Sequence, residues 1–225
     1  MPHVIVTGGP GAGKTTLLAE LGALGYATVE ESARSIIVER LARGASRRPD
    51  ALAFAQEILR RDIEKYRNQP RTSQWVFFER GLIDALGMLH EASPLPSIEL
   101  ESMLAAYPFH TTVFVLPPWE VIYVNDAERD QSFAEAVDVH AKVVEWYRAC
   151  GYSLNEVPRL PVARRAAHVL RNLADRVGVS GNSETEQEAR QRALKTVPLQ
   201  PTSIAGTSSR VETAVEPRSR LSGKA

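Results

Sequence analysis

Residues 8–16 read Gly-Gly-Pro-Gly-Ala-Gly-Lys-Thr-Thr and satisfy the pattern G-x-x-x-x-G-K-[ST], with Gly8, Gly13, Lys14 and Thr15 at the fixed positions. A β-branched run, His3 to Thr7, stands directly before it, and Leu17, Leu18, Leu21 and Leu24 recur at helical spacing after it. A strand, a glycine turn and a helix in that order call for a parallel sheet with helical crossovers. Glycines let the backbone wrap around phosphate oxygens with no Cβ in the way. Pro10 has no N–H, so the donors must come from the loop beyond it and from the helix N-terminus, whose dipole favours an anion. The segment Gly8, Gly9, Pro10, Gly11, Ala12, Gly13, Lys14, Thr15 and Thr16 is therefore expected to cradle a nucleoside triphosphate. Lys14 would reach the β- and γ-phosphates and the Thr15 hydroxyl would take a Mg²⁺ position. The dinucleotide fingerprint G-x-G-x-x-G does not fit, because Pro10 falls on its second glycine.

The rest of the chain agrees with this frame. Further strands are expected at 26–30, 74–78, 111–116 and 152–157, apolar enough to be buried on both sheet faces. Helical spacing marks 14–24, 32–43 with Ser32 as N-cap, 50–66, 133–149, and 161–177 with Pro161 in its first turn. The pattern specifies a doubly wound α/β sheet, and 225 residues with 44% hydrophobic content suffice for its core. Near residue 178 the composition changes: no aromatic follows Tyr152, and 180–225 is mainly Ser, Thr, Glu, Arg, Gln and Pro. A domain over 1–178 and a disordered tail over 179–225 are expected, because such a tail cannot offset its chain entropy by burial.

Lys plus Arg and Asp plus Glu both number 27, which argues against nucleic-acid or membrane-surface partners, since those need a basic surplus. No apolar run approaches a membrane span, and no leader is readable at the N-terminus. The single cysteine, Cys150, leaves no intramolecular disulfide and fits a reducing, cytoplasmic setting as a small buried residue. The five histidines show no metal-ligand spacing.

The strand Trp75-Val76-Phe77-Phe78 runs into Glu79-Arg80-Gly81. A parallel strand that ends in an acid delivers the carboxylate to the carboxyl edge of the sheet, beside the loop after the first strand. There Glu79 is a candidate for Mg²⁺ or for the proton of an attacking hydroxyl, and Arg80 for a phosphate or substrate contact. Glu30 and Glu31 end the second strand and offer a further pair of acids for an acceptor hydroxyl, or else plain dipole complements to the next helix. Arg34, one turn on, reads as a surface residue. Between Trp119 and Phe133 the chain is polar at its centre, and Arg129 is its one cation, suited to neutralise charge on a transferred phosphoryl group. A GTP switch lacks support, for no N-K-x-D occurs and the D-x-x-G match at Asp84–Gly87 begins five residues past Glu79.

Taken together, GGPGAGKTT, VEESAR at 29–34, FFERG at 77–81, VFVLPPWE at 113–120 and NDAERDQSF at 125–133 carry a resemblance over about residues 3–175. They resemble the bacterial AAA-domain ATPase family related to the NadR-type nicotinamide riboside kinase domain and to the TRP-channel translocation-defect proteins. The resemblance implies a three-layer, kinase-like P-loop core with strand order 2-3-1-4-5, and ATP or GTP with Mg²⁺ as ligand. By it, Lys14 and Thr15 are the nucleotide and magnesium contacts, Glu79 shares the metal or acts as base, and Arg129 is the lid arginine. It does not imply a hexameric motor, since no second helical domain follows. Two functions remain in view: phosphotransfer from ATP to a small, nucleoside-like hydroxyl acceptor, and a nucleotide switch or slow NTPase acting through a protein partner.

Overall fold

The computed structural model describes residues 3–46, 49–69, 74–124 and 131–177. The tail expected at 179–225 and Arg129, expected to be the lid arginine, lie outside the described residues. Five parallel strands form one sheet: β1 (His3–Gly8), β2 (Ala27–Val29), β3 (Val76–Glu79), β4 (Thr112–Leu116) and β5 (Ser153–Glu156). Their spatial order is β2-β3-β1-β4-β5, the order the family resemblance implies.

Alternation along β1 and β3 divides the core between the two faces, because successive side chains of a strand point to opposite sides. Val4, Val6 and Phe77 pack with Leu17 and Leu21 of α1 (Lys14–Ala23) and with Ala166, Val169 and Leu173 of α7 (Val162–Val177). Ile5, Val76 and Phe78 pack on the other face with Leu82, Leu86, Leu100, Leu104 and Tyr147. Those residues come from α4 (Leu82–Ala92), α5 (Ser97–Ala106) and α6 (Phe133–Ala149). The same face also carries α2 (Ser32–Ala42) and α3 (Ala51–Arg67), whose Ile36 and Ile58 pack together with Ala85 of α4.

Several sequence expectations need amendment. The edge strands β2 and β5 are shorter than 26–30 and 152–157, and most of their residues are partly or fully exposed. Burial on both faces belongs to β1, β3 and β4, which have neighbours on either side. Leu24 is not on the buried stripe of α1, for the helix ends at Ala23 and Leu24 is exposed. Ser32 is not the N-cap of α2. Glu31 holds that position, and the Ser32 hydroxyl inside the first turn donates to Asp62 instead. Two elements, α4 and α5, fall where no helical spacing was marked. Leu82, Ile83, Asp84, Ala85 and Leu86 of α4 are all buried, so the first half of the helix is covered all round rather than along a stripe. Other termini follow ordinary capping chemistry: Asp50 accepts from the Ala53 amide at 2.9 Å, and Ser132 with Glu135 forms a reciprocal capping box.

Candidate active site

The loop after β1 sits at the carboxyl edge with its neighbours built closely against it. A Cβ at Gly8 would overlap the Leu116 carbonyl at the end of β4, so only glycine lets these strand ends approach. Gly13 caps α1 in the left-handed region, with φ of 82°, and turns the next amides inward. Lys14 is buried, and its Nζ donates to the Gly9 carbonyl at 3.0 Å, folding the side chain back across the loop. Burial depresses its pKa to about 8, and nearby Arg80 pushes the same way against the pull of Glu31, Glu79 and Asp84.

Glu79 ends β3 as the sequence placed it, paired in register with Val6 of β1. Its Oε1 accepts from the Thr15 hydroxyl at 2.9 Å, which joins the strand-end acid to the first turn of α1. Glu79 is buried, and that burial raises its pKa against the opposing field of Lys14. A hydroxyl and a carboxylate that converge beside a phosphate-binding turn are the oxygen donors a hard cation such as Mg²⁺ takes, the remaining positions being filled by phosphate and water. The residues therefore fit the metal. Among the described residues no group of three or more His, Cys, Asp or Glu is placed to hold one without such help.

Arg80 follows in the left-handed region with φ of 60°, costly for a side chain with a Cβ. Its amide bonds to the Val6 carbonyl at 2.9 Å, and its guanidinium reaches Glu31 at 3.0 Å and Asp84 at 3.1 Å. Burial works against the charge, but Glu31, Asp84 and Glu79 outweigh it and raise the Arg80 pKa. Asp84 in turn accepts from the Thr7 hydroxyl at 2.8 Å and from the fully buried Tyr147 hydroxyl at 2.5 Å. The strained arginine is thus held directly by three partners, Val6 of β1, Glu31 at the N-cap of α2 and Asp84 of α4. Glu30 is exposed, and its carbonyl accepts from Lys65 at 2.6 Å. Arg34 is exposed too.

The sequence matches the AAA domain family over residues 3–165. The chain belongs to that family. Its structure resembles that of a deoxyadenosine kinase from M. mycoides solved with bound dATP, with a TM-score of 0.55 and 14% identity. That match covers 77% of this chain and 100% of the kinase. No curated protein sequence matches the chain. This AAA domain carries its P-loop between β1 and α1, and it shares the fold of that kinase.

Three groups of this AAA domain escaped the sequence reading. Asp62 on α3 is buried, accepts from the Ser32 hydroxyl at 2.5 Å, and has its pKa pushed up to about 7. Burial is the main cause; Ser32 and Lys65 oppose it, while Asp84 and Glu31 add to it. Asp84 entered the sequence analysis only as the start of a misplaced D-x-x-G match, yet it anchors Arg80. Its place in the first turn of the helix after Glu79-Arg80-Gly81 was the available signal. Arg165, near the start of α7, bonds to the Gly13 carbonyl at 3.3 Å across 152 positions of sequence. No local pattern marks it.

Proposed function

We propose that this AAA domain transfers the γ-phosphoryl group of Mg·ATP to a hydroxyl of a small, nucleoside-like acceptor. The observation that carries the reading is the different engagement of the two acids. Glu79 is engaged with Thr15 at 2.9 Å, whereas Glu31 pairs with the Arg80 guanidinium at 3.0 Å. Thr15 and Glu79 would hold the magnesium, which supplies charge neutralisation at the phosphate oxygens. The loop amides and Lys14 bind and orient the triphosphate, and Lys14 exchanges the Gly9 carbonyl for phosphate oxygen.

Glu31 then takes the acceptor. Its carboxylate receives the proton as the hydroxyl oxygen bonds to the γ-phosphorus, and the bond from that phosphorus to the β,γ-bridging oxygen breaks, leaving ADP. Arg80 holds Glu31 in place. Glu79 as general base, the other possibility in the sequence, is less well served by this geometry because its bonded oxygen faces Thr15. The nucleoside-like acceptor draws support from the family resemblance and from the fold shared with a deoxyadenosine kinase. GTP is the alternative donor, and Arg129 stays the lid arginine on sequence grounds.

The test incubates the full chain with Mg·ATP or Mg·GTP and a panel of nucleosides and other hydroxyl metabolites, with ADP and free phosphate followed in parallel. ADP formation that depends on an acceptor, without matching phosphate release, is the expected result. Phosphate release indifferent to every acceptor would favour a slow NTPase working through a protein partner.

A further inference from the structure

We infer that Asp62 and Lys65 of α3 are positioning residues, which grip the chain on either side of Glu31 and keep its carboxylate on Arg80. The inference rests on the reading of Glu31 as the acid that takes the acceptor. Glu31 is the N-cap of α2, yet its side chain makes no cap bond and turns to the Arg80 guanidinium at 3.0 Å. A glutamate side chain left to itself samples many rotamers, so a single direction needs a fixed backbone beneath it. That backbone is fixed from one helix. Ser32, the next residue, is buried, and its hydroxyl donates to Asp62 at 2.5 Å. Glu30, the residue before, has its carbonyl taken by Lys65 Nζ at 2.6 Å.

Asp62 and Lys65 stand one turn apart on α3, where residues at that spacing are neighbours on the helix surface. One turn from Ser32 and from Asp62, Ile36 and Ile58 pack the two helices together, so the grip has a rigid backing. Packing does not account for the carboxylate itself. Ala55, Ile58, Asp62 and Tyr66 make up the buried stripe of α3, where an apolar side chain at 62 would be the stabilising choice. Burial makes a charge unwelcome there and pushes the Asp62 pKa up to about 7, with Ser32 and Lys65 opposing it. An acid kept in a core stripe at a cost in stability breaks a local rule, and such breaks gather at functional sites. The hydrogen bond of this one goes to the residue beside Glu31. Its place is set by geometry rather than by stability.

The experiment compares Asp62→Leu, Asp62→Asn and Ser32→Ala in the full chain, by melting, by ATP affinity and by ADP formation from Mg·ATP with deoxyadenosine. Asp62→Leu fills the stripe and removes the acceptor for Ser32. It should melt no lower than the parent at pH 8, bind ATP within about two-fold of it, and lose about 10–100-fold in turnover. Ser32→Ala should lose as much turnover, whereas Asp62→Asn, whose amide oxygen still accepts, should keep most of the parent rate. In a Glu31→Gln background Asp62→Leu should cost nothing further, since the grip acts only through Glu31. A crystal structure of Ser32→Ala needs no acceptor, and it should show the Glu31 carboxylate away from the Arg80 guanidinium. Parent-like turnover in both Asp62→Leu and Ser32→Ala, losses that persist undiminished in Glu31→Gln, or Glu31 still paired with Arg80 in Ser32→Ala overturns the inference. The parent reading fails separately. Glu31→Gln without effect on turnover removes Glu31 from the chemistry; a loss in Glu31→Gln with none in Asp62→Leu and Ser32→Ala removes only the grip.

Discussion

The phosphate loop and the acid-lined side of β2 and β3 share one sheet edge, yet they are assembled in opposite ways. The loop is continuous in sequence and works through backbone: glycine turns, a helix N-terminus, and one lysine folded onto the Gly9 carbonyl. The acid side is gathered from distant segments, with Glu31 after β2, Asp62 on α3, Arg80 after β3 and Asp84 on α4. It works through buried side chains that set one another's charge. A backbone cradle suits a ligand part common to many proteins, whereas a side-chain cluster can be remade for each acceptor without disturbing the loop. Perturbing the two sides should therefore give separable effects.

The largest effect is expected where the two sides touch, at Glu79. Glu79→Gln keeps the shape and the bond to Thr15 but removes the charge, and turnover should fall by about 10²–10⁴-fold. ATP should still bind in the absence of magnesium, and titration of Mg²⁺ against turnover should show a raised requirement. Near-normal turnover and magnesium dependence would remove Glu79 from the site. Next comes Lys14→Ala, which should weaken triphosphate binding by about a hundred-fold, read by calorimetry. The fold should hold, because the lost group is a buried cation with a depressed pKa; a retained melting curve checks this.

A smaller, graded effect follows from Lys14 through pH. The triphosphate binds the charged lysine, and the free protein holds that proton only up to about pH 8. ATP affinity should accordingly be flat below pH 8 and fall by about ten-fold per unit above it, with proton uptake on binding. Calorimetry in buffers of different ionisation enthalpy measures that uptake. The smallest effect belongs to Asp62, and it concerns stability. Its folded pKa of about 7 lies above the ordinary 3.8, so the native state holds this proton more tightly than the unfolded chain. Stability from this group is full below about pH 4, declines as pH rises to 7, and is level beyond. Asp62→Asn should therefore melt higher than the parent at pH 8, by a few kcal/mol at most, and match it near pH 4. Melting curves at the two pH values decide it.

How much of this was legible in the sequence follows from the same contrast. Gly8 to Thr16 could be read because its chemistry is local, and Glu79 because a strand end is a fixed place at a sheet edge. The partnership of Glu79 with Thr15 spans 64 positions, and only the parallel pairing of β1 with β3 makes it. Ser32 read as a cap because a hydroxyl at a helix start usually serves one, but α3 packs against α2 and brings Asp62 to it. Helix α4 was illegible since burial all round its first half, Leu82 to Leu86, blurs the period that marks a helix. Arg165 reads as one more charge in a basic run, Ala163-Arg164-Arg165, until the fold lays it against Gly13.

The central claim is that donor and acceptor functions divide between Glu79 and Glu31, with Glu31 on the acceptor side. Glu31→Gln tests it most directly, by ATP affinity and acceptor-dependent turnover measured on the same preparation. The account predicts ATP affinity within about two-fold of the parent and turnover reduced by about 10²–10⁴-fold. Equal loss of ATP affinity, or unchanged turnover at saturating acceptor, would contradict it.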